Sequence, residues 1–274
     1  MFQPDSDTAR RMPGHRTQTQ GWPGEWSFLL RNFVAKDFKI RYRNMSLGVF
    51  WSLANPLVMM GVLTFVFRKI LAGGPIEDFP LFVLTGLVPF NFFSVAWLNG
   101  STSVFDNSGL IKKVGFPREI VPISSVLGNT VHFGVQTGLL IVFTLSFGKG
   151  IHLSWLWLPV VMAFEIVFVC GLALLSSAID VYVRDVRYVV ESANLVVFWL
   201  VPVFYSFTII PAHYREVYQL NPIAAVVLAF RHILLEAKAP PEVLLVKLAL
   251  VSTAMLGIGL FVFGRLKRRF ADYL

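Results

Sequence analysis

The stretch 155–179, which reads WLWLPVVMAFEIVFVCGLALLSSAI, indicates the fold class of this chain. Glu165 is the one charged residue in it, and apolar side chains dominate the rest. An α-helix needs about 20 such residues to cross a hydrocarbon core of about 30 Å. The stretch therefore predicts a helix that spans a membrane.

The whole chain has the composition of a membrane protein. Of its 274 residues, 55% are hydrophobic and 15% charged, and the mean hydropathy is +0.66. A soluble domain of this length would need more charge on its surface. We predict an all-α integral membrane protein with six spanning helices, at about 47–67, 81–103, 120–147, 155–179, 193–210 and 244–263.

Basic residues predict the orientation. Lys and Arg concentrate in the N-terminal region, in the loops after the second and fourth spans, and after the last span. Because cytoplasmic loops retain basic residues, both termini are predicted to be cytoplasmic. The net charge of +8 then describes a basic inner face and not a nucleic-acid-binding surface. Residues 1–24 are polar and lack the apolar core of a signal peptide, so we expect a disordered cytoplasmic extension before a transmembrane domain at 25–274.

The segment 26–43 has the pattern of a helix lying on the inner membrane surface. Its apolar arc is Leu30, Val34, Phe38 and Tyr42. Its polar arc is Asn32, Lys36, Lys39 and Arg43. Asp37 and Arg41 interrupt the apolar arc, so an ordinary juxtamembrane helix is the alternative.

The segment 211–235, between the fifth and sixth spans, is too short and too broken to cross the membrane. It holds a short piece at 214–218 and, after Asn221, an apolar stripe. Non-helical turns at membrane depth are tolerated only against protein or a water-filled cavity. We predict a re-entrant pair of outer helices, with a helix on the outer surface as the alternative.

Motifs for enzyme chemistry are missing from the sequence. The Gly148-Lys149 pair lacks the other residues of a P-loop, and the five histidines have no ligand spacing. The single cysteine, Cys170, excludes a disulfide framework and a cysteine-based metal site. Active transport would therefore take its energy from a partner ATPase or from an ion gradient.

Two acidic or basic residues lie away from the ends of the predicted spans, Glu165 and His132. Such residues are expensive in lipid and often functional, as in a proton relay. Asn129 and Gln136 lie on the same helix as His132, which favours hydrogen bonding between helices. Ion coupling remains the alternative mechanism.

Aromatic residues are abundant, and packing against lipid or protein accounts for most of them. A subset lining a pore would suit a glycan, since aromatic faces stack on sugar rings. Our candidates for a translocation path are Phe90, Phe93, Trp97, Phe198 and Tyr205.

Several strings, taken together, resemble the permease subunit of ABC-2 type polysaccharide exporters. They are KDFKIRYR at 36–43, LGVFWSLANPL at 47–57, KVGFPRE at 113–119, YVRDV at 182–186, and Asn221-Pro222 followed by Ala229-Phe230-Arg231. The likeness covers the chain from about residue 26 to its end. It implies a non-catalytic homodimer that works with two copies of a nucleotide-binding ATPase in the bacterial plasma membrane. The ATPase would hold ATP and magnesium, and this chain would bind no cofactor.

The resemblance also implies the substrate and the roles of particular residues. The substrate would be a polyprenyl-linked polysaccharide, with O-antigen favoured over capsule or a teichoic-acid-like polymer. The surface helix and the 106–119 loop would contact the ATPase. The short basic 180–191 loop is a further docking candidate, and the alternative is that its basic residues only reflect its cytoplasmic location. These coupling candidates are Lys36, Asp37, Lys113, Phe116, Arg118, Glu119, Arg184 and Asp185. The gate candidates in 211–235 are Asn221, Pro222, Phe230 and Arg231.

The carrier headgroup has its own candidate site. Arg41, Arg43, Lys112 and Lys113 are placed to meet the pyrophosphate, because basic side chains pair with phosphate oxygens. An ABC-2 permease for a small lipid or drug and an ion-coupled transporter are the alternative functions.

Overall fold

The fold was analysed in a computed structural model of the chain. It describes residues 23–42, 49–70, 76–113, 116–211, 213–214, 218 and 221–273. These residues form helices and connecting segments without a β-strand, which confirms the predicted all-α class. The predicted extension at 1–24 lies outside the described residues, apart from its last two positions.

The α-helices are numbered in chain order. They are α1 Pro23–Tyr42, α2 Val49–Phe65, α3 Phe79–Asp106, α4 Ser108–Ile111, α5 Ile120–Ser146, α6 Leu158–Asp180, α7 Val186–Leu200, α8 Pro222–Leu234, α9 Glu242–Leu266 and α10 Phe270–Tyr273. A π-helical turn, Val66–Ile70, extends α2, and 3-10 turns occupy Leu153–Trp157, Phe207–Ile209 and Lys267–Arg269.

Within the described ranges, five helical segments are long and apolar enough to cross a membrane. They are Leu53–Ile70, Phe79–Asp106, Ile120–Ser146, Leu153–Asp180 and Glu242–Arg269. These segments match the first four predicted spans and the sixth, with ends that differ by a few residues.

The fifth predicted span, 193–210, is wrong as a single helix. Helix α7 begins earlier, at Val186, and ends at Leu200. The segment 201–206 is non-helical, although Val201, Val203 and Phe204 are buried. Pro202 explains part of the break, since a proline offers no N–H to the preceding turn. The count of six crossings stays a prediction.

Helix α3 forms the centre of the fold, and its residues 81–90 are all buried. It packs against α2, α5, α6, α7 and α8. Side-chain amides join it to α5, because Asn91 Nδ2 donates to Gln136 Oε1 at 3.2 Å and Asn99 Nδ2 to Asn129 Oδ1 at 3.3 Å. Asn129 and Gln136, the neighbours of His132 on α5, thus take part in hydrogen bonds between helices, and the role of His132 itself stays a prediction.

Glu165 differs from Asn129 and Gln136 in this respect. Its side chain is fully buried in α6. Among the described residues, neither of its carboxyl oxygens has a hydrogen-bond partner. A buried carboxyl group needs a hydrogen bond to offset the cost of its desolvation. Glu165 does not make that bond with any described residue in this conformation.

Helices α6 and α9 touch along two glycines. A Cβ placed on Gly171 would lie 2.5 Å from the carbonyl carbon of Met255, and one on Gly259 would clash with the carbonyl oxygen of Gly171. Small residues at such points let two helical backbones approach, which is how helices pack tightly in a membrane. This seam fixes α9 against α6.

The loops gather at two opposite ends of the bundle. At one end, Lys149 Nζ lies 3.2 Å from Asp78 Oδ2 and joins two connections. At the other, four segments meet: α1, the α4–α5 loop, the α6–α7 loop and residues 267–273. The buried apolar residues of these segments and of the adjoining helix ends form what we call the basal cluster: Phe33, Val104, Ile111, Ile120, Val121, Leu174, Ala178, Val181, Phe263 and Phe270. The segments predicted to share one side of the membrane therefore lie together.

Candidate functional site

Helix α1 packs on the basal cluster with a face that differs from its predicted apolar arc. The buried residue is Phe33, which lay outside that arc, and its ring is 5.5 Å from that of Phe116. Leu30 and Val34 are only partly buried. Helix α1 therefore turns Phe33 inward because it packs on Phe116 and α5, and not on lipid alone.

The predicted polar arc of α1 faces outward where its side chains are described. Asn32 and Lys36 are exposed, and Lys36 Nζ donates to Asn107 Oδ1 at 2.7 Å, just before α4. Asp37 and Arg41 lie on the α1 backbone, but their side chains lie outside the description, and Arg43 falls outside the described residues.

The 116–119 segment holds three of the coupling candidates and makes defined contacts with Lys267. Arg118 Nη1 donates to the carbonyl oxygen of Lys267 at 2.6 Å, and Lys267 Nζ forms an ion pair with Glu119. A cavity of about 580 Å³ opens here, lined by Phe116, Pro117, Arg118, Glu119, Lys267 and Arg268. The structure thus unites three of the predicted coupling residues, Phe116, Arg118 and Glu119, with a segment that the sequence did not single out.

The remaining coupling candidates of the described loops are open to solvent. Lys113 is exposed after α4, as is the headgroup candidate Lys112 beside it. Arg184 and Asp185 are exposed before α7, and the Arg184 guanidinium lies 5.4 Å from the Phe105 ring. This surface offers charge of both signs to a soluble partner.

The five path candidates form one aromatic chain between α3 and α7. Ring centroids are 6.0 Å apart for Phe90 and Phe93, 5.4 Å for Phe93 and Trp97, and 5.2 Å for Phe90 and Phe198. Phe204 then links Phe198 to Tyr205, at 5.9 and 5.3 Å. Phe90 and Phe93 are buried in the core, so the members nearest to an open surface are the other three.

The non-helical 201–206 segment lies directly against α3. A Cβ added to Gly86 would lie 3.0 Å from the Cα of Val203. Because glycine has no side chain, the 201–206 segment can pack directly on α3. Buried irregular backbone must be satisfied by protein groups when lipid surrounds the bundle. Gly86 was not among the residues singled out in the sequence.

Arg231 supplies one of those groups. It is 5% exposed, and its Nη2 donates to the carbonyl oxygen of Val203 at 2.9 Å. Its guanidinium lies 3.5 Å from the Phe82 ring centroid, a cation–π contact that compensates for lost hydration. Arg231 therefore ties α8 to the break after α7.

Helix α8 begins and packs as its sequence indicates. Asn221 Oδ1 accepts a hydrogen bond from the backbone N–H of Ile223 at 3.1 Å, and Pro222 takes the first helical position. Phe230 is fully buried and stacks on Phe133 with a centroid distance of 6.2 Å. This burial places α8 among the other helices of the bundle, and the re-entrant pair of outer helices stays a prediction. The first predicted outer helix, at 214–218, falls mostly outside the described residues.

Helices long and apolar enough to cross a membrane, a buried short helix before the last of them and a cluster of basic loops at one end are the features of a polytopic membrane protein. The chain belongs to the ABC-2 type transporter family, whose model matches residues 29–235. This match confirms the family that the sequence strings indicated.

Two groups of relatives are similar over most of the chain. The O-antigen export system permease protein RfbA of Klebsiella pneumoniae is 30% identical over 90% of this chain and 95% of its own length. The protein of that name in Myxococcus xanthus is 28% identical over 89% and 94%. The polysialic acid transport protein KpsM of Escherichia coli is 22% identical over 83% and 89%.

Proposed function

We propose that this chain is the transmembrane subunit of an ATP-driven exporter of O-antigen on a polyprenyl pyrophosphate carrier. The observation that carries the proposal is its similarity, over nearly the full length of both chains, to O-antigen export permeases. The lower identity to a polysialic acid transport protein supports polysaccharide export as the wider class.

The energy comes from two copies of a separate ATPase that docks at the basal end. In support, the coupling candidates Lys36, Phe116, Arg118 and Glu119 lie there with α1. The protein sits in the bacterial inner membrane with both termini in the cytoplasm. Arg118, Arg184 and Lys267 at the basal end suit that orientation, because basic residues are retained inside.

The permease acts as a homodimer. Apolar side chains on α2 and α7 are open, for example Val58 at 64%, Phe65 at 60%, Leu195 at 64% and Trp199 at 61% exposure. Lipid covers part of these faces, and a second copy packed along the rest would enclose the path of the polymer between the two copies. Trp97, Phe198 and Tyr205 stack on sugar rings at the edge of that path.

The decisive experiment uses inverted membrane vesicles that contain the permease, its partner ATPase and lipid-linked O-antigen. We expect ATP to drive the polymer into the vesicle lumen, with no effect of a protonophore. An ATPase without its catalytic carboxylate serves as the control. Transport that persists with this ATPase and stops with the protonophore supports the ion-coupled alternative, and movement of short lipids but not of polymer supports the drug or small-lipid alternative.

The carrier pyrophosphate binds beside α1 and α4, at Arg41, Arg43, Lys112 and Lys113. The exposed lysines and the Lys36–Asn107 bond, which holds α1 next to α4, support this site. Replacing Arg41 and Arg43 together by Gln should abolish export while membrane insertion stays normal. Arg31→Gln, an exposed position on the same helix, is the matched control. Normal export in the double variant would remove this site from the proposal.

A further inference from the structure

Side chains from two separate loops bind the same helix end. Helix α9 finishes at Leu266, where the chain passes into the 3-10 turn Lys267–Arg269. Tyr182, from the α6–α7 loop, donates its hydroxyl to the carbonyl of Leu266 at 2.8 Å. Arg118, from the α4–α5 loop, donates to the carbonyl of Lys267 at 2.6 Å. The positive charge of Arg118 also suits the negative end of a helix dipole.

An aromatic contact joins the same two loops through one ring. Phe270 is fully buried and lies edge-on to Phe263 of α9, with centroids 5.4 Å apart. Tyr182 packs on Phe270 at 6.2 Å, and the Arg118 guanidinium lies 5.9 Å from the same ring. Tyr182 also contacts the Tyr273 ring at 4.6 Å. The Phe270 ring thus stands between both loops and the last helix.

Charge and apolar packing extend this connection to α1. Lys267 forms its ion pair with Glu119, the residue directly before α5. Phe116 of the same loop contacts Phe33 of α1. Both rings belong to or pack on the basal cluster that includes Phe270.

We propose that residues 267–273 are a clasp that makes the two coupling loops and α1 move as one body. The inference rests on the proposed ATPase-driven function. A push on either loop then reaches the basal ends of α5, α6 and α9 together, because these helices begin or end within a few residues of Glu119, Tyr182 and Leu266. Phe270, Tyr182 and Arg118 are positioning residues in this scheme and do not contact the substrate.

Hydrogen–deuterium exchange on the permease alone tests the clasp without reference to transport. Tyr182→Phe keeps the ring and removes only the hydroxyl, so folding should be retained. We expect amide exchange in 182–185, 267–269 and 118–121 to rise together, roughly fivefold, as the loss of one hydrogen bond allows. Tyr188→Phe, which removes a hydroxyl on a 67% exposed side chain, is the control. Faster exchange in only one of these segments would overturn the clasp.

The second readout is the number of polymers exported per ATP hydrolysed with the partner ATPase present. Phe270→Ala should leave ATP hydrolysis in place and lower export per ATP several-fold, and Phe270→Leu should restore part of it. Phe261→Ala, at a 63% exposed position on α9, is the matched control. Equal losses of hydrolysis and export in Phe270→Ala would contradict coupling through the clasp. If the unmodified protein shows no ATP-driven export, the proposed function fails while the exchange result still decides the clasp.

A cross-link tests whether the clasp stays closed during transport. Cys170 is the only native cysteine, so Glu119→Cys with Lys267→Cys in a Cys170→Ala background can be bridged specifically by a short bismaleimide. A single moving body predicts that the bridged protein exports at the rate of the unbridged one. Arrest by the bridge, reversed with a cleavable linker, would overturn the proposal.

Discussion

Alanine at Gly171 should weaken the whole bundle through the seam between α6 and α9. The added Cβ would lie 2.5 Å from the carbonyl carbon of Met255 and 2.6 Å from the nitrogen of Leu256. Both neighbours are backbone atoms, so no side chain can rotate away. Ordinary contact begins near 3.4 Å, so the helices must separate by about 1 Å, a gap that forfeits a quarter to a half of each dispersion contact.

Overpacking of this kind typically costs about 1–3 kcal/mol, and a backbone clash places Gly171→Ala near 3 kcal/mol. The free energy of unfolding is measured by titrating mixed micelles with sodium dodecyl sulfate and following tryptophan fluorescence. Gly259→Ala should give a similar loss because it clashes with Gly171 from the opposite side.

Gly257→Ala is the control that separates the clash from the chemistry of the substitution. This position is on α9 as well, but nothing lies within 4 Å of its added Cβ. Alanine favours a helix over glycine by up to about 1 kcal/mol, so this variant should be neutral or more stable. Equal stabilities of Gly171→Ala and Gly257→Ala would refute the claim that close packing of α6 and α9 at Gly171 stabilises the protein.

Three further predictions concern the end of the bundle opposite the basal cluster. Arg231→Leu leaves the Val203 carbonyl without its donor and should destabilise the 201–206 segment by about 1–3 kcal/mol, seen as faster amide exchange there, whereas slower or unchanged exchange would contradict the tie. Asn221→Ala should lower the free energy of unfolding by about 1 kcal/mol through the lost helix cap, and Asn221→Asp should restore most of it. Asp78→Asn removes an ion pair with Lys149 whose side chains are each 34% exposed, so the loss should stay below about 1 kcal/mol and disappear in high salt.

Hydropathy predicts the helices that are both long and apolar, but it misplaces the fifth. Val201, Val203 and Phe204 are apolar and buried, and burial alone does not distinguish a helix from irregular backbone packed on protein. Pro202 was the available signal for the break, since it lies in the interior of the predicted 193–210 span. The early start of α7 was hidden by Arg187 and Glu191, which form an ion pair one helical turn apart at 3.0 Å.

The candidate site was predictable where its residues form local strings. The resemblance placed Arg118 and Glu119 in one loop and Asn221 and Pro222 at a helix start, and the structure gives each of them a defined contact. The long-range contacts were not predictable, because 149 positions separate Arg118 from Lys267 and 84 separate Tyr182 from Leu266. No sequence pattern specifies a contact over such a distance without the tertiary fold.

Helix α2 has a consequence for biosynthesis. Among its described side chains only Pro56 is buried, and it contacts the bundle mainly through α3. In a membrane, helices insert first and associate afterwards. We therefore expect α2 to take its final place late in assembly, after the helices around α3 have buried one another's side chains.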